Sequence, residues 1–165
     1  MSWPWTIVGL VALLRLGELI YSRRNTARLL ARGGYEVGGD LYPLIVGLHA
    51  CWLVSIVLFV PADRLPSIFW LAVFVVLQIF RLWVIVSLGP YWTTRVVTLP
   101  GAPLVKSGPY RWLRHPNYLV VFLEIAVLPL VFGAWPIALV FSVLNAALLF
   151  HRIRVEERAV ADRRA

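Results

Sequence analysis

Long uninterrupted apolar runs are the feature that most restricts how this chain can fold. Three of them cover about residues 3–22, 41–60 and 67–88. Each is close to the ~20 residues that a helix needs to cross about 30 Å of hydrocarbon. Because no water is available there to satisfy backbone polar groups, each run is predicted to form a transmembrane helix.

A fourth apolar region, 117–152, is too long for a single crossing. Its middle holds LPLVFGAWP, in which Pro129, Gly133 and Pro136 favour a turn. The predicted fold class is therefore an all-α integral membrane protein with five transmembrane helices, the last two forming a helical hairpin.

The composition agrees with this class. Of the 165 residues, 61% are hydrophobic and 15% are charged, which is more apolar surface than a water-soluble domain of this size can bury. The net charge of +8 does not indicate a nucleic-acid partner, because the charges lie in short blocks between the apolar runs. The single cysteine, Cys51, predicts neither an internal disulfide nor a thiolate metal site.

The basic residues predict an orientation. Thirteen of them lie in loop 23–40, in loop 89–116 and in the C-terminal tail, against Arg64 alone on the opposite side. By the positive-inside rule, the N-terminus is outside and the two loops and the C-terminus are cytoplasmic. Fifteen arginines against one lysine suggest a bacterial genome, so we expect the bacterial inner membrane.

We expect one membrane domain, 1–165, with three helices in 1–88. Residues 89–165 would hold a cytoplasmic loop, the helical hairpin and a cytoplasmic tail. The segment RGGYEVGGD (32–40) predicts a flexible turn between the first two helices.

Several polar groups fall inside the predicted helices, where they are costly and often functional. They are Arg15, Glu18, His49, Arg81, Glu124 and Asn145. The last four lie about 10 Å below the cytoplasmic surface, at 1.5 Å per residue, which favours a shared cavity. Arg15 and Glu18 are spaced to pair with each other, and Arg81 with Glu124 fits either an interhelical ion pair or a site. His49 and Asn145 also suit helix packing.

Loop 89–116 is too polar for a transmembrane helix and too aromatic for an ordinary loop. Irregular backbone beside a membrane usually lines a cavity or packs on protein. RHPNY then leads into the fourth helix with Pro116 in its first turn, and a helix N-terminus suits an anionic ligand group. A belt of interfacial aromatic and basic anchors is the alternative.

The segment HRIRVEERAV continues the fifth helix into the predicted cytoplasmic tail. Arg152 and Glu156 are four residues apart and share a helix face. Because the predicted orientation puts this face on the same side as RHPNY, the two segments are expected to meet. A solvated helix with surface ion pairs is the alternative.

The stretch GPYRWLRHPNY, the hairpin and RIRVEE together resemble the isoprenylcysteine carboxyl methyltransferase family over roughly residues 88–158. The resemblance implies an integral membrane enzyme that binds S-adenosyl-L-methionine on its cytoplasmic side. It also implies that Glu156 contacts the cofactor, with a further contact near Arg95, and that Arg152 orients the substrate. The other implied cofactor contacts are Ala102, Pro103, Leu104, Val105, Tyr110, His115, Pro116, Asn117 and Tyr118.

The chemistry of these residue types fits. The rings of Tyr110 and Tyr118 can hold a cation or stack on a base, and Glu156 can complement the sulfonium charge. Arg152 can hold an acceptor carboxylate through two hydrogen bonds. A phenol or enol acceptor benefits from a base, and the candidates are His115, His151 and Glu124.

The segments WTTRV, LPGAPLV and GPYR resemble shorter bacterial members associated with type III polyketide synthases. Such enzymes O-methylate alkylpyrones or alkylresorcinols, so we expect a lipophilic small molecule that enters from the membrane lipid, and a functional link to such a synthase. We expect Arg152 and Glu124 to be catalytic. The expected substrate contacts are Arg152, His49, Arg81 and Asn145.

A membrane sterol-type reductase that uses NADPH is the main alternative, because that family also places RHPNYL before a hairpin and a similar HR motif after it. Glu156 and Glu157, where the reductases have Asp-Glu, favour the methyltransferase. A phospholipid N-methyltransferase and a non-enzymatic scaffold are further alternatives, and the scaffold predicts no cofactor binding.

Overall fold

The computed structural model describes residues 2–159 and is built mainly from α-helices. The connections after the first and third helices contain short strands and 3-10 helices. The α-helices are α1 (Trp3–Ala31), α2 (Tyr42–Phe59), α3 (Ile68–Leu88), α4 (Pro116–Val131) and α5 (Trp135–Ala159). Short 3-10 helices lie at Gly39–Leu41, Gly89–Tyr91 and Gly108–Arg111, and the strands are β1 (Tyr35–Glu36) and β2 (Val97–Thr98). Arg163 and Arg164 of the predicted basic tail lie outside the described residues.

All five predicted helices are present in the described part of the chain. Helices α1, α2, α3 and α5 are long and apolar enough to cross a membrane, and α4 is a shorter apolar helix of 16 residues. At 1.5 Å per residue α4 is about 24 Å long. Helix α1 continues to Ala31, well beyond its predicted end at residue 22.

Helix α4 is the innermost helix. Nine of its 16 residues are buried, whereas α2 buries only Trp52 and Ile56. Trp52 also donates its indole N–H to the backbone carbonyl of Ile125 in α4 at 3.1 Å. The exposed apolar side chains of the outer helices suit contact with lipid tails. This packing surrounds α4 and fixes the position of its first turn.

The hairpin between α4 and α5 forms at the predicted break. Pro129 lies in the last turn of α4 and Pro136 in the first turn of α5. Between them Gly133 has a φ of +71°, a conformation that glycine adopts without strain. Arg64, in the loop between α2 and α3, donates its Nε to the carbonyl of Phe132 at 3.1 Å and ties the two loops together.

Polar side chains of α1, α3 and α4 form a largely buried network, here called the polar cluster. Its members are the charged Arg15, Glu18, Arg81 and Glu124 and the neutral Gln78. Arg15 pairs with Glu18 at 2.7 Å and with Glu124 at 3.0 Å. Arg81 pairs with Glu18 at 2.7 Å and with Glu124 at 2.9 Å. Gln78 donates to Glu124 at 2.7 Å. Two positive and two negative charges therefore compensate one another, and each carboxylate is shared between helices.

The loop predicted as a flexible turn is structured. Strand β1 pairs antiparallel with β2, and Val37 N–H donates to the carbonyl of Val96 at 2.9 Å. A Cβ on Gly34 would lie 2.7 Å from the carbonyl oxygen of Leu29, so glycine permits this close approach. The segment connects the first two helices as predicted, but its strand was not predicted, because the partner strand lies about 60 residues further along the chain.

We predict that Glu124→Leu destabilises the protein strongly, because it leaves the buried Arg81 and the partly buried Arg15 with one carboxylate. Breaking a buried ion pair from one side costs ~3–5 kcal/mol. The melting temperature in detergent, followed by circular dichroism, should fall clearly. The double variant Arg81→Leu/Glu124→Leu should recover part of the loss, because Arg15 and Glu18 still compensate each other.

Glu36→Gln is the control for this prediction. It breaks the more exposed pair between Arg95 and Glu36, which should contribute less than about 1 kcal/mol. Equal melting temperatures for Glu124→Leu and Glu36→Gln would contradict the large contribution of the polar cluster to stability.

Candidate functional site

A cavity of about 400 Å³, here called the loop cavity, lies between the loop after α3, the first turn of α4 and the C-terminal part of α5. Its volume is within the range of small-molecule sites. The predicted site residues that line it are Pro103, Leu104, Val105, Tyr110, His115, Asn117, Tyr118, Arg152 and Glu156.

Two predicted cofactor contacts lie beside the loop cavity without lining it. Ala102 donates its backbone N–H to Leu99 at 3.2 Å inside the loop. Pro116 is buried at the start of α4, between His115 and Asn117. Its position in the first helical turn is as predicted, because proline lacks only an N–H that would have no helical partner there.

Four other predicted site residues lie away from the loop cavity. Arg81 and Glu124 belong to the polar cluster. His49 Nδ1 is 2.8 Å from the carbonyl of Ile45 in its own helix, and its ring packs edge-on against Trp52. Asn145 is only 1% exposed, and its Nδ2 has no partner within residues 2–159. The catalytic role of Glu124 and the substrate roles of the other three stay predictions.

The RHPNY and RIRVEE segments meet at the loop cavity. The Tyr118 hydroxyl donates to the Glu156 carboxylate and accepts from Arg152 Nε at 3.0 Å. His115 stacks on Tyr118 with ring centroids 5.5 Å apart, and its Nε2 is 3.3 Å from Glu157 Oε1. One phenol therefore connects the arginine and the glutamate of α5 to the first turn of α4.

Arg152 is held at two of its three guanidinium nitrogens. Besides the bond from Nε to Tyr118, its Nη2 donates to the backbone carbonyl of Thr94 at 2.6 Å. Its guanidinium carbon lies 5.4 Å from the centre of the Tyr118 ring, within the range of a cation–π contact. Arg152 therefore reaches the loop cavity from α5 in a fixed orientation.

The loop cavity carries an excess of positive charge. Arg95, Lys106, Arg114 and Arg152 line it, against the carboxylate of Glu156. Arg95 is compensated by Glu36, 2.8 Å away, and lies over the ring of Tyr42 at 4.3 Å. The remaining cations make the site favourable for ligands that carry a carboxylate or another anionic group.

Tyr110 adds a hydrogen-bond donor to the loop cavity. Burial, and after it the negative charge of Glu156, raises the pKa of the Tyr110 phenol above its ordinary value. The hydroxyl group therefore stays protonated at neutral pH and can donate to a bound ligand.

Sequence reasoning missed the residues of α1 that support the loop. Asn25 donates from Nδ2 to the carbonyls of Gly89 at 3.1 Å and Trp92 at 2.9 Å. Trp92 is 2% exposed, and its indole N–H donates to Asn117 Oδ1 at 3.3 Å. Ser22, Asn25 and Leu29 are three and four residues apart, so they share one face of α1, and all three are buried. This spacing is the sequence signal that could have revealed the face.

The glycines of the loop permit its close packing. Gly108 has a φ of +54°, and a Cβ there would lie 2.1 Å from Ser87 Oγ. Gly101 also has a positive φ, +74°, but a Cβ there would meet nothing within 4 Å. Gly108 therefore allows the segment before Tyr110 to lie against the end of α3.

Comparison with known proteins identifies relatives of the chain. The sequence profile of the isoprenylcysteine carboxyl methyltransferase (ICMT) family matches residues 70–162. The uncharacterized protein YpbQ of Bacillus subtilis is 38% identical over 162 residues, which cover 96% of both chains. An uncharacterized protein of Haemophilus influenzae is 26% identical over 153 residues, 90% of this chain and 89% of the relative. No solved structure gives a significant match.

We predict that Gly108→Ala destabilises the protein more than Gly101→Ala. Both substitutions place a side chain at positive φ, which costs about 1–2 kcal/mol. Only the Cβ at Gly108 also overlaps Ser87, so its melting temperature in detergent should be the lower of the two. Equal melting temperatures would show that the loop does not pack on α3 in this way.

Proposed function

Because the chain belongs to the isoprenylcysteine carboxyl methyltransferase family, we propose that it is an integral membrane enzyme that uses S-adenosyl-L-methionine to methylate an oxygen of a lipophilic acceptor. The observation that carries this proposal is the meeting of Arg152, Tyr118 and Glu156 in one cavity. These side chains come from the two segments on which the family resemblance rests.

The loop cavity fits the chemistry of this cofactor. The aromatic faces of Tyr110 and Tyr118 and the carboxylate of Glu156 suit a sulfonium cation. Lys106 and Arg114, which also line the loop cavity, suit the carboxylate of its amino-acid part. Both kinds of group are therefore present in one site of suitable volume.

The protein contributes mainly by alignment. When bound, S-adenosyl-L-methionine supplies a methyl group on a positively charged sulfur, which passes in line to the acceptor oxygen while the sulfur keeps the bonding electrons. Tyr118 holds Arg152 and Glu156 in a fixed relation, so acceptor and cofactor subsites are kept at a constant distance. Holding both reactants in the reactive orientation removes a large part of the activation free energy of such a displacement.

The charges of the site favour an oxygen acceptor over an amine. Arg152 can bind a carboxylate or an enolate directly, whereas a protonated amine would be repelled by Arg152 and its cationic neighbours. For a phenol, which must lose a proton, His115 is the candidate base that lines the loop cavity. His151 and Glu124 do not line it.

The membrane context supports a lipophilic acceptor. The loop cavity lies at the ends of long apolar helices, with Leu29 of α1 and Leu88 of α3 in its lining, and an amphipathic molecule with a long chain would keep its tail in the lipid. We propose alkylpyrones, alkylresorcinols or an isoprenylcysteine-like carboxylate as acceptor classes, and a type III polyketide synthase as a functional partner. The proposed arrangement has five membrane crossings in the bacterial inner membrane, with the N-terminus outside and the site facing the cytoplasm.

We predict that the protein binds S-adenosylhomocysteine, and does not bind NADPH, when both are measured by calorimetry in detergent. Glu156→Gln and His115→Ala should each lower the affinity about tenfold or more, because a hydrogen bond to a charged group contributes ~1.5–3 kcal/mol. Their melting temperatures should stay near that of the unmodified protein.

His151→Ala is the matched control, since this exposed histidine precedes Arg152 and does not line the loop cavity. It should bind S-adenosylhomocysteine normally. Binding of NADPH alone would favour the reductase, and binding of neither compound would favour a non-enzymatic scaffold.

We also predict a preference among acceptors. With methyl-labelled cofactor, the detergent-solubilised protein should label a long-chain alkylresorcinol or an S-farnesylcysteine and should leave phosphatidylethanolamine unlabelled. The reason is the excess of positive charge around Arg152, and the measurement is label in the extracted lipid. Labelled phosphatidylethanolamine would instead indicate an N-methyltransferase.

A further inference from the structure

Thr94 is the point where the two halves of the chain meet beside Arg152. Its backbone N–H donates to Ser22 Oγ in α1 at 2.8 Å, and its side-chain Oγ1 lies 2.8 Å from the same Ser22 oxygen. Tyr42, at the start of α2, places its hydroxyl 3.2 Å from Thr94 Oγ1. Two helices outside the family-matched residues 70–162 therefore hold this one residue of the loop.

The other side of Thr94 holds Arg152. Its carbonyl accepts from Arg152 Nη2 at 2.6 Å, while Arg152 Nε donates to Tyr118. A planar guanidinium that is bound at two nitrogens has a fixed plane. Its third nitrogen, Nη1, has no hydrogen-bond partner within the described residues and belongs to a side chain that lines the loop cavity.

We propose that Ser22 and Thr94 are positioning residues that aim Nη1 of Arg152 at the methyl acceptor. This inference rests on the function proposed above, because it takes Arg152 as the group that binds the acceptor. Ser22 is 1% exposed and supplies one hydroxyl group to both the N–H and the side chain of Thr94. It therefore orients Thr94, the residue whose carbonyl binds Arg152.

The position of Ser22 separates this role from general support of the loop. Asn25, one turn further along α1, binds the carbonyls of Gly89 and Trp92, where the loop begins. Ser22 instead binds the single residue whose carbonyl contacts the Arg152 guanidinium. Loss of Ser22 should thus change the acceptor side of the site more than the cofactor side. Within the described residues, the proposed cofactor contacts Glu156 and His115 make no hydrogen bond to Ser22 or Thr94.

The test compares Ser22→Ala, Thr94→Val and Thr94→Ser in the full-length protein in detergent. In the first two, solvent exchange of the Arg152 Nη2–H, which donates to the Thr94 carbonyl, should become about tenfold faster, as expected for the loss of one hydrogen bond. This exchange is measured by arginine side-chain NMR and assigned with Arg152→Lys. The value of kcat/KM for the alkylresorcinol or S-farnesylcysteine should fall by about the same factor. Affinity for S-adenosylhomocysteine should change less than about twofold.

Thr94→Ser keeps the hydroxyl group and should behave like the unmodified protein in all three measurements. Ser55→Ala is the matched control, because Ser55 is half-buried on α2 and, among the described residues, its hydroxyl donates only to the carbonyl of Cys51 in its own helix at 2.7 Å. Unchanged Nη2–H exchange in both Ser22→Ala and Thr94→Val would overturn the inference.

The two proposals can fail separately. An unmodified protein that neither binds S-adenosylhomocysteine nor labels an acceptor would overturn the methyltransferase function, while faster Nη2–H exchange in the variants would still support the positioning of Arg152. The other failure concerns Ser22 alone. If the unmodified protein binds and turns over normally, but Ser22→Ala loses affinity for S-adenosylhomocysteine and kcat/KM by equal factors, then Ser22 has a purely structural role and the inference is overturned.

Discussion

The polar cluster is the constraint on which the rest of the structure depends. A charged side chain inside an apolar helix bundle is tolerated only where opposite charges and hydrogen-bond donors surround it. Glu18 and Glu124 each bind both Arg15 and Arg81, so α1, α3 and α4 are fixed relative to one another. Because α4 then starts at a set depth, its first turn can present Tyr118 to α5.

The loop cavity depends on hydrogen bonds to backbone groups of the loop, which have no partners within a helix of their own. The segment after α3 has little regular structure, and its polar groups must find partners where it packs on protein. Asn25 and Ser22 supply them from α1, and strand β1 supplies them to β2. The family-matched residues 70–162 thus supply nearly all of the lining of the loop cavity, while hydrogen bonds from the first two helices hold its loop in place.

Much of the helical framework could be predicted from the sequence, because helix length and hydrophobic length are local properties. The turn at Gly133, the start of α4 at Pro116 and the meeting of RHPNY with RIRVEE were all predicted. The pairing of β1 with β2 was not, because strands of two residues carry almost no pattern. The shared depth of His49 and Asn145 with Arg81 predicted one cavity, but the structure gives each of them a different environment.

The sequence by itself determined that this chain needs a membrane, where its helices break and which segments carry the family resemblance. Those properties depend on the apolar character and the turn preferences of adjacent residues, and both can be read along the chain. Only the tertiary structure decided that Glu124 joins Arg15 and that Ser22 reaches Thr94, contacts that join residues 109 and 72 positions apart. Such contacts depend on how whole helices pack, because a buried polar group takes the partner that packing places within hydrogen-bond distance.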